Sequence, residues 1–129
     1  MRETTMTKTI MVVDDDPSTR YTIGRILEAN GYKVKLAYSG KECMSQVGVL
    51  KGAVDLILLD IMMPEVDGIT TFYSIRKVYP AMRIMFISAV QPNEDIKKIL
   101  REEKQVPNLT KPFDYGRLLA AVKQALGEQ

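Results

Sequence analysis

Short apolar segments alternate with amphipathic segments five times along this chain. The apolar segments predict strands at residues 9–13, 33–37, 54–59, 83–87 and 106–110. The intervening segments predict helices at residues 17–30, 40–50, 69–79 and 92–103, and the fifth helix starts near residue 114. Such alternation is typical of a parallel sheet, because parallel strands need a crossover that is usually helical. The expected fold class is α/β, with a doubly wound five-stranded parallel sheet and helices on both faces.

The first and last helices indicate which side chains face the core. Asp16 can cap the first helix, which begins at Pro17, and the Asn30-Gly31 pair is a usual C-terminal stop. The residues of this helix that we expect to be buried are Tyr21, Ile23, Ile26 and Leu27. In the last helix the apolar stripe consists of Tyr115, Leu118, Leu119, Val122, Ala125 and Leu126. Both patterns are typical of helices that pack against a sheet.

Length and hydropathy favour one domain without a membrane segment. The 129 residues are expected to form a flexible lead at residues 1–6, which lacks the apolar core of a secretory signal, and a domain at residues 7–127. The longest apolar stretch, residues 54–63, is too short to span a bilayer, which takes about 20 helical residues. We therefore expect a cytoplasmic protein without a membrane partner.

Composition removes several classes of function. The chain has no histidine, and Cys43 is its single cysteine. An internal disulfide, classical zinc sites and histidine-based catalysis are therefore excluded. The 18 basic and 16 acidic side chains give a net charge of +2, which is no strong electrostatic reason to bind nucleic acid. Direct nucleic-acid binding is therefore not expected.

Five polar residues follow the predicted carboxyl ends of four strands. They are Asp14 and Asp15 after the first strand, Asp60 after the third, Ser88 after the fourth and Lys111 after the fifth. In an open doubly wound sheet, ligands bind beyond these ends, at the point where the strand order reverses. We therefore expect the five side chains to converge on one site.

The chemistry of this set indicates a magnesium-dependent phosphoryl site. Three neighbouring carboxylates repel one another by several kcal/mol per pair at close range, so the cluster calls for a cation. Oxygen ligands without Cys or His favour Mg²⁺. Asp60 could then attack phosphorus as a carboxylate nucleophile, while the Lys111 ammonium and the Ser88 hydroxyl contact phosphoryl oxygens.

Each of these residues also has an ordinary structural interpretation when taken alone. The run of Asp14 to Asp16 is more often a solvated turn and helix cap, and Asp60 could simply end a strand. Ser88 could be a turn hydroxyl, and Lys111 could be a surface lysine before a proline. The functional interpretation depends on the five residues occurring together. If each were only structural, all five would have to fall by chance on one rim of the predicted sheet.

Four segments resemble response-regulator receiver domains, namely IMVVDDDP, DLILLDIMMPEVDG, MFISA and TKPFD. The resemblance covers the chain from about Thr7 to Leu126 and implies a flavodoxin-like (βα)5 fold. It also implies that Asp60 is the phosphoacceptor and that the Lys111–Pro112 bond is cis. The implied phosphodonor is a phosphohistidine on a sensor histidine kinase or a histidine phosphotransfer protein.

The resemblance further assigns roles around the phosphoacceptor. Asp15, Asp60 and the backbone carbonyl of Met62 would bind Mg²⁺ directly, and Asp14 would bind it through water. Ser88 and Lys111 would contact the phosphoryl group. Such a domain is a signalling switch that promotes its own phosphorylation, not an enzyme with a separate substrate.

Two departures from the family pattern affect the expected output. Asn108 occupies the position that usually carries Tyr or Phe three residues before the motif lysine, and EEKQVPN replaces a frequent Gly-Ala turn. The usual aromatic switch is therefore missing. Movement of Ser88 toward the phosphoryl group, with rearrangement of residues 89–93, is the expected substitute.

The expected output is switched binding of an unidentified protein by a monomer or a weak, phosphorylation-linked dimer. The candidate partner face consists of Lys97, Lys98, Arg101, Lys104 and Arg117, although a charged helix surface is usually only solvated. A DNA-binding effector would need further helices beyond Gln129.

Three other functions stay open. The first is a phosphorylation-independent interaction module, which Asn108 favours and the complete acidic set disfavours. The second is a magnesium-dependent phosphatase, although that class needs an acid two residues after the nucleophile, where this chain has Met62. The third is flavin binding, although no phosphate-cradling loop follows the first strand and three aspartates there would repel a phosphate.

Overall fold

A computed structural model describes residues 7–61, 63, 67–88, 94–103 and 106–128. The described strands are β1 Thr9–Val13, β2 Lys33–Ala37, β3 Leu56–Asp60, β4 Ile84–Ser88 and β5 Asn108–Thr110. The helices between and after them are α1 Pro17–Ala29, α2 Gly40–Val49, α3 Gly68–Val78, α4 Glu94–Glu102 and α5 Tyr115–Ala125. Residues 1–6, for which we predicted a flexible lead, lie outside the described residues.

The five strands form one parallel sheet in the order β2-β1-β3-β4-β5. Strand β1 pairs with both β2 and β3, so the chain order reverses at β1. This order is the flavodoxin-like one, in which the reversal opens a crevice at the carboxyl ends of the strands. The predicted α/β class and the doubly wound sheet are therefore confirmed.

Two apolar layers cover the two faces of the sheet. One layer contains residues of α2, α3 and α4, such as Val47, Phe72 and Ile96, together with alternate residues of the strands. The other contains residues of α1 and α5, such as Leu27 and Val122, together with the remaining strand residues. All five residues of β3 are buried, as expected for a central parallel strand that is covered on both faces.

Three strands differ from the prediction in where they begin or end. Strand β3 runs from Leu56 to Asp60. The preceding Asp55 donates its amide to the Thr9 carbonyl, but the Thr9 amide donates to the Asp55 carboxylate, where a backbone carbonyl would continue the strand pairing. Strand β4 runs one residue later than predicted and includes Ser88. Strand β5 is shorter because Val106 bonds back to the Glu103 carbonyl and Pro107 has no amide to donate.

The prediction that Tyr21 and Tyr115 are buried was wrong. Their exposed fractions are 57% and 60%, whereas Ile23, Leu27, Leu118 and Val122 are buried. A tyrosine can lie on the outer side of a helix because its hydroxyl stays hydrated there, and the Tyr21 hydroxyl also accepts a bond from Arg25.

None of the helices in the described part of the chain has the length and apolar composition to span a bilayer.

Cys43 should be unreactive in the folded protein. Its side chain is fully buried in the layer that contains α2, and burial raises the pKa of its thiol to about 12. Because the thiolate is the reactive form, we expect a disulfide reagent at pH 8 to label the protein only after unfolding in urea. Rapid labelling of the native protein, measured by absorbance, would show that this layer opens readily.

Candidate functional site

Three acidic side chains meet at the carboxyl edge of the sheet. Asp14 follows β1, Asp15 is next in the chain, and Asp60 is the last residue of β3. One carboxylate oxygen from each lies within 4.8 Å of the others. Asp14 and Asp60 are 1% and 4% exposed, whereas Asp15 is open to solvent. The structure therefore brings the predicted acidic residues together around a partly accessible position.

Each atom of Asp14 that can form a hydrogen bond has a partner. The Asp14 amide donates to the Ala37 carbonyl at 3.1 Å, which ties the end of β1 to β2. Carboxylate oxygen Oδ1 accepts from the Asp16 amide at 2.9 Å, and Oδ2 accepts from Lys111 Nζ at 3.1 Å. The Asp14 carboxylate is therefore held by the protein itself, and Lys111 offsets part of the negative charge.

Asp16 acts at the rim of this cluster as the cap of α1. Its carboxylate accepts bonds from the Thr19 amide and the Thr19 hydroxyl. The hydroxyl bond is the main reason that the pKa of Asp16 is lowered. Asp16 therefore stays ionised at neutral pH, and the predicted capping role is the one that the structure shows.

The end of β3 is fixed by close backbone packing. The Ile61 amide donates to the Ile87 carbonyl of β4 at 3.0 Å, and the Gly68 amide donates to the Ile61 carbonyl at 2.9 Å. A Cβ atom at residue 68 would lie 2.7 Å from the Ile61 Cα atom, which is much closer than a van der Waals contact. The first residue of α3 therefore packs directly against the backbone that carries Asp60.

Ser88 and Lys111 lie at the same edge of the sheet. Ser88 is buried at the end of β4, and its carbonyl accepts a bond from the Lys111 amide at 2.7 Å. The Lys111–Pro112 peptide bond is cis, as the resemblance implied. The Lys111 side chain contacts the acidic cluster through Asp14. Met62, the expected backbone ligand, lies outside the described residues.

Asn108 lies opposite Phe86 in the pairing of β4 and β5. Its side-chain oxygen Oδ1 is buried and has no hydrogen-bond partner among the described residues. An unpaired buried acceptor costs stability, by about 1–3 kcal/mol. Asn108 therefore leaves a buried polar atom unsatisfied among the described residues, at the position for which the resemblance implies an aromatic side chain.

The predicted partner face is only partly visible. Lys97, Lys98 and Arg101 are exposed on α4, and Arg117 is exposed on α5. Lys97 lies 3.8 Å from Glu94, a surface ion pair of little energetic weight. Lys104 and residues 89–93 lie outside the described residues. The role of this surface, and the rearrangement expected after Ser88, therefore stay predictions.

Arg20 and Gly68 are parts of the site that were not predicted from the sequence. Arg20 Nη1 donates to the Asp14 carbonyl at 2.8 Å, and Gly68 contacts the backbone of Asp60 and Ile61. One signal was available for Arg20, because a cation in the first turn of a helix opposes the helix dipole. For Gly68, the signal was a glycine that directly follows a capping aspartate.

Comparison with known proteins identifies the family. A family model described as the response regulator receiver domain matches residues 10–123. The chain belongs to this receiver family. Receiver domains of two-component response regulators are signalling switches. In this chain the acidic cluster consists of Asp14, Asp15 and Asp60.

Individual relatives agree with this assignment. The chain is 37% identical over 117 residues to the transcriptional regulatory protein ZraR of Salmonella typhimurium, covering 91% of this chain and 26% of ZraR. It is 32% identical over 121 residues to the sensor kinase CckA of Brucella abortus, covering 94% of this chain and 13% of CckA. The chain therefore spans only a small part of both proteins.

One solved structure similar to this receiver domain contains a ligand. The response regulator protein TrrA of Thermotoga maritima was solved in complex with Mg²⁺-BeF. It is 28% identical to this chain, with a TM-score of 0.79, and the match covers 92% of this chain and 99% of TrrA. The similarity therefore extends over the whole receiver domain.

Proposed function

We propose that this receiver domain accepts a phosphoryl group on Asp60 in a magnesium-dependent reaction and thereby switches the binding of a partner protein. The observation that carries the proposal is the cluster of Asp14, Asp15 and Asp60, whose carboxylate oxygens lie within 4.8 Å of one another. Two of these carboxylates are buried, and three negative charges gathered this closely repel one another, which a bound cation would offset.

The donor set fits Mg²⁺. All three side chains offer oxygen, and the accessible Asp15 leaves room for the waters that Mg²⁺ keeps. Both oxygens of Asp14 already accept protein donors, which favours contact through water for Asp14. We assign direct ligation to Asp15 and Asp60. The Met62 carbonyl would complete the protein ligands, and bound Mg²⁺ would offset negative charge on the transferred group.

Asp60 is the nucleophile in this proposal. One of its carboxylate oxygens forms a bond to phosphorus while the bond from phosphorus to the donor's imidazole nitrogen breaks. Lys111, which now contacts Asp14 Oδ2, would turn to the phosphoryl oxygens as a point charge. The Ser88 hydroxyl would donate to another phosphoryl oxygen from the end of β4.

The proposed phosphodonor is a phosphohistidine on a sensor histidine kinase or a histidine phosphotransfer protein. Similarity to the sensor kinase CckA and to the regulator ZraR supports a place in two-component signalling. We propose a cytoplasmic location and an unidentified protein target, with no direct binding of nucleic acid, and a monomer or weak phosphorylation-linked dimer. The candidate binding surface includes Lys97, Lys98 and Arg101 on α4.

A phosphorylation-independent interaction module is the second candidate. The specific observation in its favour is Asn108, whose buried oxygen has no partner among the described residues, at a position where the family usually carries an aromatic ring. Such a module would keep the fold and use one surface constitutively. The two candidates differ in whether Asp60 can be phosphorylated.

The test measures intact mass after incubation with acetyl phosphate, in Mg²⁺ or in EDTA. We expect wild-type protein to gain one phosphoryl group only with Mg²⁺, and Asp60→Asn to gain none. The matched control is Asp55→Asn, because Asp55 precedes the amino end of the same strand β3 and lies about 16 Å away at the usual rise per residue. This control should be phosphorylated like the wild type.

The outcomes separate the two candidates. If no adduct forms and calorimetry detects no Mg²⁺ binding, the phosphorylation-independent module is the better interpretation. An adduct on Asp60→Asn would place the phosphoacceptor elsewhere.

A further inference from the structure

Arg20 reaches from the first turn of α1 to the backbone behind the acidic cluster. It is the fourth residue of α1, its side chain is half-buried, and its Nη1 donates to the Asp14 carbonyl at 2.8 Å. A cation near the N-terminus of a helix opposes the helix dipole. The stability of α1 therefore does not explain why an arginine stands there.

The contact restrains Asp15 through its backbone. The Asp14 carbonyl belongs to the peptide group that joins Asp14 to Asp15, and a peptide group is planar and rigid. A bond to this oxygen therefore fixes the orientation of the peptide plane that precedes Asp15. Arg20 supplies that bond from its side chain.

The peptide plane that follows Asp15 is also fixed. The Asp16 amide belongs to that plane and donates to Asp14 Oδ1 at 2.9 Å. Asp15 is thus held on both sides, although its own carboxylate is exposed and makes no hydrogen bond or ion pair with the described residues. The direction of the Asp15 side chain is therefore determined by its backbone.

We propose that Arg20 is a positioning residue that holds the Asp14–Asp15 peptide so that the Asp15 carboxylate points into the cation site. The proposal deepens the proposed function and rests on it, since it assigns to Arg20 the task of preorganising a magnesium ligand. Mg²⁺ demands near-ideal geometry, so a misdirected carboxylate is a poor ligand. Arg20 acts through the backbone and does not touch the cation.

The positive charge of Arg20 affects Mg²⁺ binding in the opposite direction from its bond to the Asp14 carbonyl, which makes the proposal testable. A guanidinium beside the cluster repels a divalent cation, so removal of the charge alone would strengthen Mg²⁺ binding. Removal of the restraint would weaken it, and loss of residues that orient metal ligands typically lowers affinity about 10- to 100-fold. The sign of the change therefore distinguishes the two roles.

The experiment measures the Mg²⁺ dissociation constant by titration calorimetry for the wild type, Arg20→Met, Arg20→Lys and Arg25→Met. We expect Arg20→Met to bind about tenfold more weakly, despite its lower positive charge. Arg20→Lys should recover part of the affinity because it keeps a donor and the charge. The matched control, Arg25→Met, removes an exposed cation from the same helix and should bind like the wild type.

A second measurement is independent of Mg²⁺. In metal-free protein, amide hydrogen exchange at Asp16 should be faster in Arg20→Met than in the wild type, while exchange within β3 is unchanged. If Mg²⁺ affinity is equal or higher in Arg20→Met, and Asp16 exchange is unchanged, the positioning role is wrong. If wild-type protein does not bind Mg²⁺, the proposed metal site fails, and the exchange rates alone decide whether Arg20 restrains the turn.

Discussion

Replacing Gly68 with alanine should destabilise the protein by about 3 kcal/mol. This value is at the upper end of the usual cost of overpacking, because the atoms that surround Gly68 belong to the backbone. The added Cβ would lie 2.7 Å from the Ile61 Cα atom and 3.0 Å from the Asp60 carbonyl carbon. Backbone held by the β3–β4 pairing cannot move aside as a side chain can. Helix α3 or the end of β3 must therefore shift, and unfolding in urea followed by circular dichroism measures the cost.

The same substitution should impair phosphorylation, because it moves the residue that carries the nucleophile. A displacement near 1 Å can lower a reaction rate about a hundredfold, and we expect that order of loss in the Mg²⁺-dependent rate with acetyl phosphate. The matched control is Gly48→Ala near the end of α2, where an added Cβ meets nothing within 4 Å. It should be neutral or more stable by about 0.5–1 kcal/mol. Normal phosphorylation of a destabilised Gly68→Ala would show that this contact does not position Asp60.

Most of the fold could be predicted because it follows from periodicity. The uninterrupted apolar run through Leu56 to Leu59 indicates a strand covered on both faces, and the structure buries every residue of β3. The ends of the strands were less predictable, because they depend on hydrogen bonds between segments that are distant in the sequence. At Asp55, for example, the regular pairing ends where the side-chain carboxylate accepts a bond from the Thr9 amide.

The position of the acidic side chains could also be predicted, for a topological reason. Parallel strands end on the same edge, so residues that follow β1 and β3 become neighbours once the strand order is known. What holds these residues could not be predicted as readily. The bond from Arg20 to a backbone carbonyl and the contact of Gly68 with Ile61 depend on exact tertiary geometry.

Side-chain exposure was predicted less well for amphipathic residues. Tyr21 and Tyr115 count as apolar in a helical pattern, but a phenol ring can also lie on the outer side of a helix with its hydroxyl in water. Asn108 shows the opposite case, in which a polar side chain keeps its oxygen buried and, within the described part of the chain, without a partner. Pattern alone does not distinguish these cases, because it records residue type and not the surrounding atoms.

Replacing Lys111 with methionine should destabilise the metal-free protein by about 2 kcal/mol. Lys111 Nζ lies 3.1 Å from Oδ2 of Asp14, a carboxylate that is nearly fully buried. One oxygen of this carboxylate lies within 4.8 Å of an oxygen from each of Asp15 and Asp60. Breaking a buried pair costs about 3–5 kcal/mol, and we lower this figure because Lys111 is partly exposed and water screens its charge. The measurement is urea unfolding in EDTA, and the control is Lys41→Met, an exposed site on α2 where we expect a change within about 0.5 kcal/mol.

Magnesium should reduce the loss of folding stability caused by Lys111→Met, because a divalent cation at the cluster replaces the positive charge that the substitution removes. A ligand that binds only the folded state stabilises it in proportion to the logarithm of its concentration over its dissociation constant. The stabilisation by Mg²⁺ should therefore be larger in Lys111→Met than in wild-type protein, since the variant lacks the competing ammonium beside Asp14. Equal stabilisation of both proteins would mean that Lys111 and the cation do not compensate the same charge.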